Sequence, residues 1–156
     1  MQKDTRNFVE GLLRDYPRIP RYIHRKEQEI KYPFRAYRDD NVGGGQGHSN
    51  NDSPTERIVF NIAGCDVIEG FKKQRNAISK ALKKSDPVFV KVVERYYFDE
   101  YNTLSISAIG VEYGYSSRTL YNERNKLFEN ILIHLGWNHV IERDAILNEK
   151  SDRTAL

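Results

Sequence analysis

The fold of this chain is decided by residues 105–135, which read SISAIGVEYGYSSRTLYNERNKLFENILIHL. Ser105 can cap a first short helix, because a serine hydroxyl accepts a hydrogen bond from a free backbone N–H. Gly114 stands where the chain must turn with a positive φ, a conformation that glycine adopts without steric cost. Ser116 can cap a second helix, which starts at Ser117. The stretch therefore predicts a helix, a tight turn and a second helix.

The first of these helices has a glycine on its apolar side. Ile106, Ile109 and Tyr113 share one face at about 100° per residue, and Gly110 lies beside them. A position without a side chain allows another helix to cross closely. Tyr115, which follows the turn, is expected to plug the turn against the core.

The second helix has an apolar face, with Leu120, Leu127 and Ile131, and an opposite polar face. Its polar side chains can hydrogen-bond to base edges and phosphates. The candidate DNA-binding residues are Ser116, Ser117, Arg118, Thr119, Tyr121, Asn122, Arg124, Asn125 and Lys126. An ordinary helix pair in an α-helical domain has the same spacing. The glycine turn, the paired serine caps and the polar face favour a helix-turn-helix whose second helix enters the major groove of double-stranded DNA.

Composition limits the class of protein. The chain has 156 residues, of which 38% are hydrophobic, so one or two small domains are expected. A single cysteine, Cys65, excludes an internal disulfide and a zinc cluster and is expected to be a small core residue. There is no apolar run of about 18 residues and no apolar N-terminal signal segment. We therefore expect no membrane association and a location in the cytoplasm.

Charge is unevenly distributed, although the net charge is only +3. Residues 1–38 contain ten Lys/Arg and five Asp/Glu, whereas residues 39–69 contain one Lys/Arg and six Asp/Glu. Residues 71–95 contain eight Lys/Arg and two Asp/Glu, immediately before the predicted helix-turn-helix. Such a block can supply sequence-independent affinity for phosphates, or it can be a solvated helix face. Within it, the candidate phosphate contacts are Lys80, Lys83 and Lys84.

The pattern along the chain predicts an all-α fold: a long central helix leading into a C-terminal three-helix helix-turn-helix domain, with an N-terminal helical hairpin. The hairpin covers residues 1–33, and a Gly/Asn-rich flexible loop follows over residues 34–53. A capping box at Ser53–Glu56 starts a long linking helix over residues 54–84. The helix-turn-helix domain covers residues 85–137, starting at Ser85–Pro87, and residues 138–156 form a C-terminal tail with a short helix.

The remaining motifs argue against an enzyme. Gly43–Gly45 lacks the preceding strand and the Gly-Lys-Ser/Thr ending of a phosphate-binding loop. The four histidines have no metal-ligand spacing beside carboxylates, and the loop aspartates Asp39, Asp40 and Asp52 have no scaffold. We therefore expect no catalytic activity, no cofactor and no metal. The role of the Asp40–Gly45 motif stays open.

An ordered series of short motifs resembles a known family. They are Tyr16-Pro17, Glu29-Ile30, Asp40–Gly45, Ser53–Glu56, Arg95–Phe98 and Ser116–Thr119. In this order and spacing, over about residues 12–137, they resemble the RinA/ArpU-type late-transcription regulators of phages of low-GC Gram-positive bacteria. Ile109, Gly110, Glu112, Gly114 and Ser116 also resemble the promoter-reading region of bacterial sigma factors.

The resemblance implies a sequence-specific DNA-binding activator of phage late genes, acting in the cytoplasm of the bacterial host. Host RNA polymerase and a second copy of the chain, in a homodimer, are its candidate partners besides DNA. The alternative is a phage terminase small subunit, a DNA-packaging protein that also uses a helix-turn-helix. In such subunits that element is usually N-terminal, before an oligomerising region, whereas here it is C-terminal.

Overall fold

The structure, a computed structural model, describes residues 1–33 and 53–154. The fold is all-α, as the sequence predicts: the described residues form helices joined by turns and contain no strand. The α-helices are α1 (Lys3–Asp15), α2 (Ile19–Lys31), α3 (Pro54–Ala63), α4 (Asp66–Lys84), α5 (Pro87–Val93), α6 (Ile106–Glu112), α7 (Ser117–Leu135) and α8 (Asn138–Thr154). The predicted loop over residues 34–53 and its Asp40–Gly45 motif lie outside the described residues, apart from Ser53. Among the described helices, none combines the length and the apolar character needed to cross a bilayer.

The chain divides into two compact units. One consists of Met1–Ile19 and Lys72–Leu156, and the other consists of Pro20–Phe71. This division differs from the predicted one, in which residues 1–33 form a separate hairpin: α1 and most of α2 belong to different units. In the smaller unit the rings of Tyr22 and Phe71 lie 5.6 Å apart, so α2 packs on the start of α4 there.

Helix α1 is part of the core of the larger unit. Val9 and Leu13 are fully buried and belong to the same apolar cluster as Phe89, Phe128 and Ile131. The side of α1 that carries Val9, Leu12 and Leu13 is therefore buried in the same core as the region predicted to be a separate DNA-binding domain. An amphipathic pattern identifies the face that is buried, but the packing partner depends on the tertiary fold.

The long helix predicted over residues 54–84 is two helices. Its start is as predicted: the Ser53 Oγ accepts a hydrogen bond from the Glu56 N–H at 3.1 Å, and the Glu56 carboxylate accepts from the Ser53 N–H at 3.1 Å. The first helix ends at Gly64, and α4 begins at Asp66, with Asp66 and Glu69 in its first turn. Glycine favours a helix end, and carboxylates favour a helix start, so the helix is interrupted between Gly64 and Asp66.

Helix α5 begins at Pro87, as predicted, with Asp86 as its N-cap. It is followed by one π-helical turn, Glu94–Phe98, which carries the three consecutive aromatic residues Tyr96, Tyr97 and Phe98. This turn buries Tyr97 against the core, where its ring centroid lies 6.4 Å from that of Phe128.

The predicted C-terminal tail is a packed helix. Helix α8 covers Asn138–Thr154, and the buried Asp144 carboxylate accepts a hydrogen bond from the Gln2 backbone N–H at 2.9 Å. Burial by itself raises the pKa of Asp144. The hydrogen bonds from Gln2, Thr5 and Arg143 outweigh that effect and hold the pKa below its ordinary value. The charged carboxylate of Asp144 therefore links α8 to the N-terminus of the chain, a contact that the prediction of a C-terminal tail did not include.

Candidate nucleic-acid interface

Helices α6 and α7 are joined by a tight turn with the predicted local chemistry. Ser105 and Ser116 cap the two helices, each accepting a hydrogen bond at 3.2 Å from the N–H three residues later. Gly114 has a φ of 80°, and the Tyr115 N–H donates to the Gly110 carbonyl at 2.9 Å. These predictions are confirmed, and they follow from short-range steric and hydrogen-bonding rules.

Tyr115 packs the turn against the core, as the sequence predicts, and it does so at α5. Its ring meets that of Phe89 edge-on at 6.2 Å, and its hydroxyl donates to the Asp86 carboxylate. The same carboxylate accepts from the Phe89 N–H at 3.1 Å. Burial and the bond to Asp86 raise the pKa of Tyr115 to about 12, and the Tyr115 hydroxyl lowers the pKa of Asp86. One carboxylate thus caps α5 and fixes the turn before α7.

Most of the predicted DNA-binding residues are exposed on the N-terminal part of α7. Arg118 and Asn122 are both exposed, one turn apart, and Tyr121 is 38% exposed beside them. The exposed members of the predicted set are Ser116, Ser117, Arg118, Thr119, Tyr121, Asn122 and Lys126. The Ser116 and Thr119 hydroxyls lie 2.8 Å apart, and Lys126 pairs with Glu123 at 2.7 Å. These side chains are therefore exposed along the N-terminal half of α7, with Arg118, Tyr121 and Asn122 on neighbouring positions of the helix and Lys126 about two turns beyond Arg118.

Arg124 does not lie on that surface, contrary to the prediction. Its side chain is only 11% exposed, and it pairs with Glu10 of α1 at 3.5 Å. Arg124 is six residues after Arg118, about 240° around the helix, on the side of Leu120. Ser117 lies at nearly the same angle and is exposed, so it is the contact with Glu10, not the helical angle alone, that covers Arg124.

The Asn125 side chain is also partly buried. It is half-buried, and its Oδ1 atom is buried without a hydrogen-bond partner among the described residues. Its helical angle places it close to Arg118, so no pattern in the sequence indicates this burial. Arg124 and Asn125 are accordingly poorer candidates for contact with DNA than the exposed residues.

A set of contacts behind α7 was not predicted. The Tyr121 hydroxyl lies 2.9 Å from the Ser107 Oγ of α6, and the Arg124 guanidinium lies 4.6 Å from the Tyr121 ring centroid. Glu10, which pairs with Arg124, also accepts from the Tyr97 hydroxyl at 3.4 Å. Burial, with Glu10 nearby, raises the pKa of Tyr97 well above its ordinary value, so the phenol stays protonated. These contacts join parts of the chain that are distant in sequence, and no local motif indicates them.

The candidate phosphate contacts lie toward the other end of α7. Lys80, Lys83 and Lys84 are all exposed on the last turns of α4. Burial lowers the pKa of His134, and the positive charges of Lys84 and Lys80 lower it further, so these two of the three lysines lie near His134. His134 is sixteen residues after Arg118, or about 24 Å along the helix axis. These lysines and the Arg118 surface are therefore separate features.

Comparison with known proteins assigns a family. A family model described as a protein of unknown function, DUF722, matches residues 5–132. The chain belongs to the DUF722 family. The DUF722 match begins in α1 and ends within α7, so it includes both Glu10 and Arg124 and leaves out α8. No curated protein and no solved structure matches the chain. Within the described part of this DUF722 protein, no three His, Cys, Asp or Glu side chains are grouped to hold a metal ion.

Proposed function

We propose that this protein is a sequence-specific DNA-binding activator of phage late genes, and that it reads a promoter through the start of α7. The observation that carries the proposal is the exposed surface of Arg118, Tyr121 and Asn122 on a helix whose opposite face is anchored in the core. A rigid helix with a polar exposed start is the geometry that major-groove readers use.

The chemistry of this surface fits the edges of base pairs. An arginine donates two hydrogen bonds to guanine O6 and N7, and an asparagine exchanges two with adenine. Ser116, Ser117 and Thr119 stand at the helix N-terminus, where hydroxyl groups and backbone N–H groups bind phosphates. Arg118 and Asn122 would then specify sequence, and the hydroxyl residues would fix the helix on the backbone.

The role in late transcription rests on the resemblance to RinA/ArpU-type regulators. In this proposal the protein works in the host cytoplasm, with double-stranded DNA and RNA polymerase as partners, and it has no enzymatic activity and no cofactor. A homodimer would supply a second recognition helix, which could bind a second half-site of the DNA. The terminase small subunit stays as the alternative, and assembly into a ring would favour it.

The test is selection from a pool of random double-stranded DNA, followed by titration of the selected duplex. Arg118→Ala and Asn122→Ala should each weaken binding by about 1–3 kcal/mol without lowering the thermal midpoint. Arg57→Ala is the matched control, because Arg57 is exposed on α3, in the other unit. Unchanged affinity of both α7 variants would refute the proposal. Transcription by host polymerase from the selected site separates an activator from a packaging protein.

A further inference from the structure

Tyr121 is the aromatic side chain on the proposed DNA-reading surface, and it is held on two sides. Its hydroxyl lies 2.9 Å from the Ser107 Oγ, which joins it to α6. The guanidinium of Arg124 lies 4.6 Å from its ring centroid, in the geometry of a cation–π contact. The residue is nevertheless 38% exposed, so part of the ring faces outward.

The Arg124 side chain is held in turn by Glu10 of α1 and Phe128 of α7. It pairs with the Glu10 carboxylate at 3.5 Å, and its guanidinium lies 5.7 Å from the ring centroid of the fully buried Phe128. Glu10 also accepts from the buried Tyr97 at 3.4 Å. The Arg124 Nε atom has no hydrogen-bond partner in the described part of the chain, so the pairing and stacking contacts account for its orientation. A connected set of side chains therefore runs from α1 to the exposed ring.

Tyr121 can offer an apolar surface to a partner. Its hydroxyl is already paired with Ser107, and the ring carbons that Arg124 does not cover are the group that it can bring against a base edge. Within the major groove, the apolar group on a base edge is the C5-methyl of thymine. A ring that is already immobilised loses little conformational entropy when it makes such a contact.

We propose that Tyr121 recognises a thymine methyl group, and that Arg124 and Glu10 are positioning residues that hold its ring in place. The inference rests on the proposed function, because it requires α7 to lie in the major groove. It gives Arg124 a role different from the direct DNA contact that its sequence suggests. It also gives α1 a role in recognition, through Glu10.

The experiment replaces each thymine of the selected duplex, one at a time, by deoxyuridine. This removes the methyl group and keeps every hydrogen-bonding group of the base. The full-length protein should lose about fourfold in affinity at one position, the value expected for one buried methyl group. Tyr121→Ala should bind the thymine and deoxyuridine duplexes equally at that position.

The positioning residues are tested on the same pair of duplexes. Glu10→Gln and Arg124→Gln should each reduce the discrimination between thymine and deoxyuridine and leave the salt dependence of binding unchanged. Arg124→Lys keeps the charge but loses the planar stack, so it should restore the discrimination only in part. Glu129→Gln is the control, because it removes an exposed carboxylate from the same helix. If Glu10→Gln or Arg124→Gln does not fold, Ser107→Ala replaces it in the test. This variant removes the hydrogen bond to the Tyr121 hydroxyl and should also reduce the discrimination between thymine and deoxyuridine.

The outcomes separate the two proposals. If no sequence is selected, the proposed function and the inference both fail. If binding depends on Arg118 but no thymine position responds to deoxyuridine, only the inference fails. It also fails if Tyr121→Ala keeps the discrimination, or if Glu10→Gln weakens binding equally at all positions.

Discussion

Gly110 of α6 lies directly against Leu120 of α7. A Cβ atom on Gly110 would lie 2.6 Å from Cδ2 of Leu120 and 3.3 Å from its Cγ. Leu120 is fully buried, so it cannot move away without displacing the neighbouring core. The close crossing of the two helices therefore depends on the missing side chain, as the sequence predicts.

Gly110→Ala should destabilise the protein. Overpacking of a core site costs about 1–3 kcal/mol, and the better helix propensity of alanine offsets about 1 kcal/mol of it. Urea unfolding measures the net effect. In a Leu120→Ala background the cost of Gly110→Ala should largely disappear, because the crowded atoms are gone. Gly11→Ala is the control: a Cβ there meets nothing within 4 Å, so stability should rise slightly.

The N-terminal helix should be required for folding of the larger unit. Leu13 is fully buried in the shared core, so Leu13→Ala should cost about 2–5 kcal/mol. Val111→Ala is the control, because Val111 is 68% exposed and its replacement should change stability by less than about 0.5 kcal/mol. A fragment of residues 53–156 should lack a cooperative thermal transition. Cooperative unfolding of that fragment would contradict the assignment of α1 to the core.

The Tyr115–Asp86 hydrogen bond should make stability sensitive to alkaline pH. The pKa of Tyr115 is about 12 in the folded chain, against an ordinary value of about 10 when unfolded. The stability that this hydrogen bond contributes is therefore complete below about pH 10 and is lost as the pH rises through about 12. At pH 8, Tyr115→Phe should cost about 1 kcal/mol in urea unfolding, and this difference should shrink above pH 10.

Tyr101→Phe is the matched control for that series, because Tyr101 is 91% exposed and its replacement should have little effect at either pH. A difference between Tyr115→Phe and the parent protein that stays constant to pH 12 would contradict the role given to the hydroxyl.

Charge removal on α4 should act on affinity rather than on sequence preference. Replacing Lys80, Lys83 and Lys84 by Gln should flatten the salt dependence of DNA binding, by up to about 0.9 in log–log slope for each phosphate that is no longer neutralised. The preferred sequence should stay the same, because these lysines belong to α4 and not to the exposed start of α7 that carries Arg118. Lys31→Gln, on α2, is the control. A changed sequence preference with an unchanged slope would exclude these lysines as phosphate contacts.

The sequence alone determined the local features of this protein. The serine caps, the positive φ of Gly114, the capping box at Ser53 and the close approach at Gly110 all depend on residues near in sequence or on one helical face. Steric and hydrogen-bonding preferences at that range act the same way in almost any fold, so the pattern identifies them.

Only the tertiary structure decided which helices share a core and which polar side chains remain exposed. An apolar face predicts burial but not its partner, so the packing of α1 on α7 could not be read from either segment. Arg124 and Asn125 belong to a polar run that also contains Arg118 and Asn122. Arg124 is covered because α1, more than a hundred residues earlier, brings Glu10 against that side of the helix. Contacts between residues so distant in the chain depend on how the whole core packs, which no local pattern specifies.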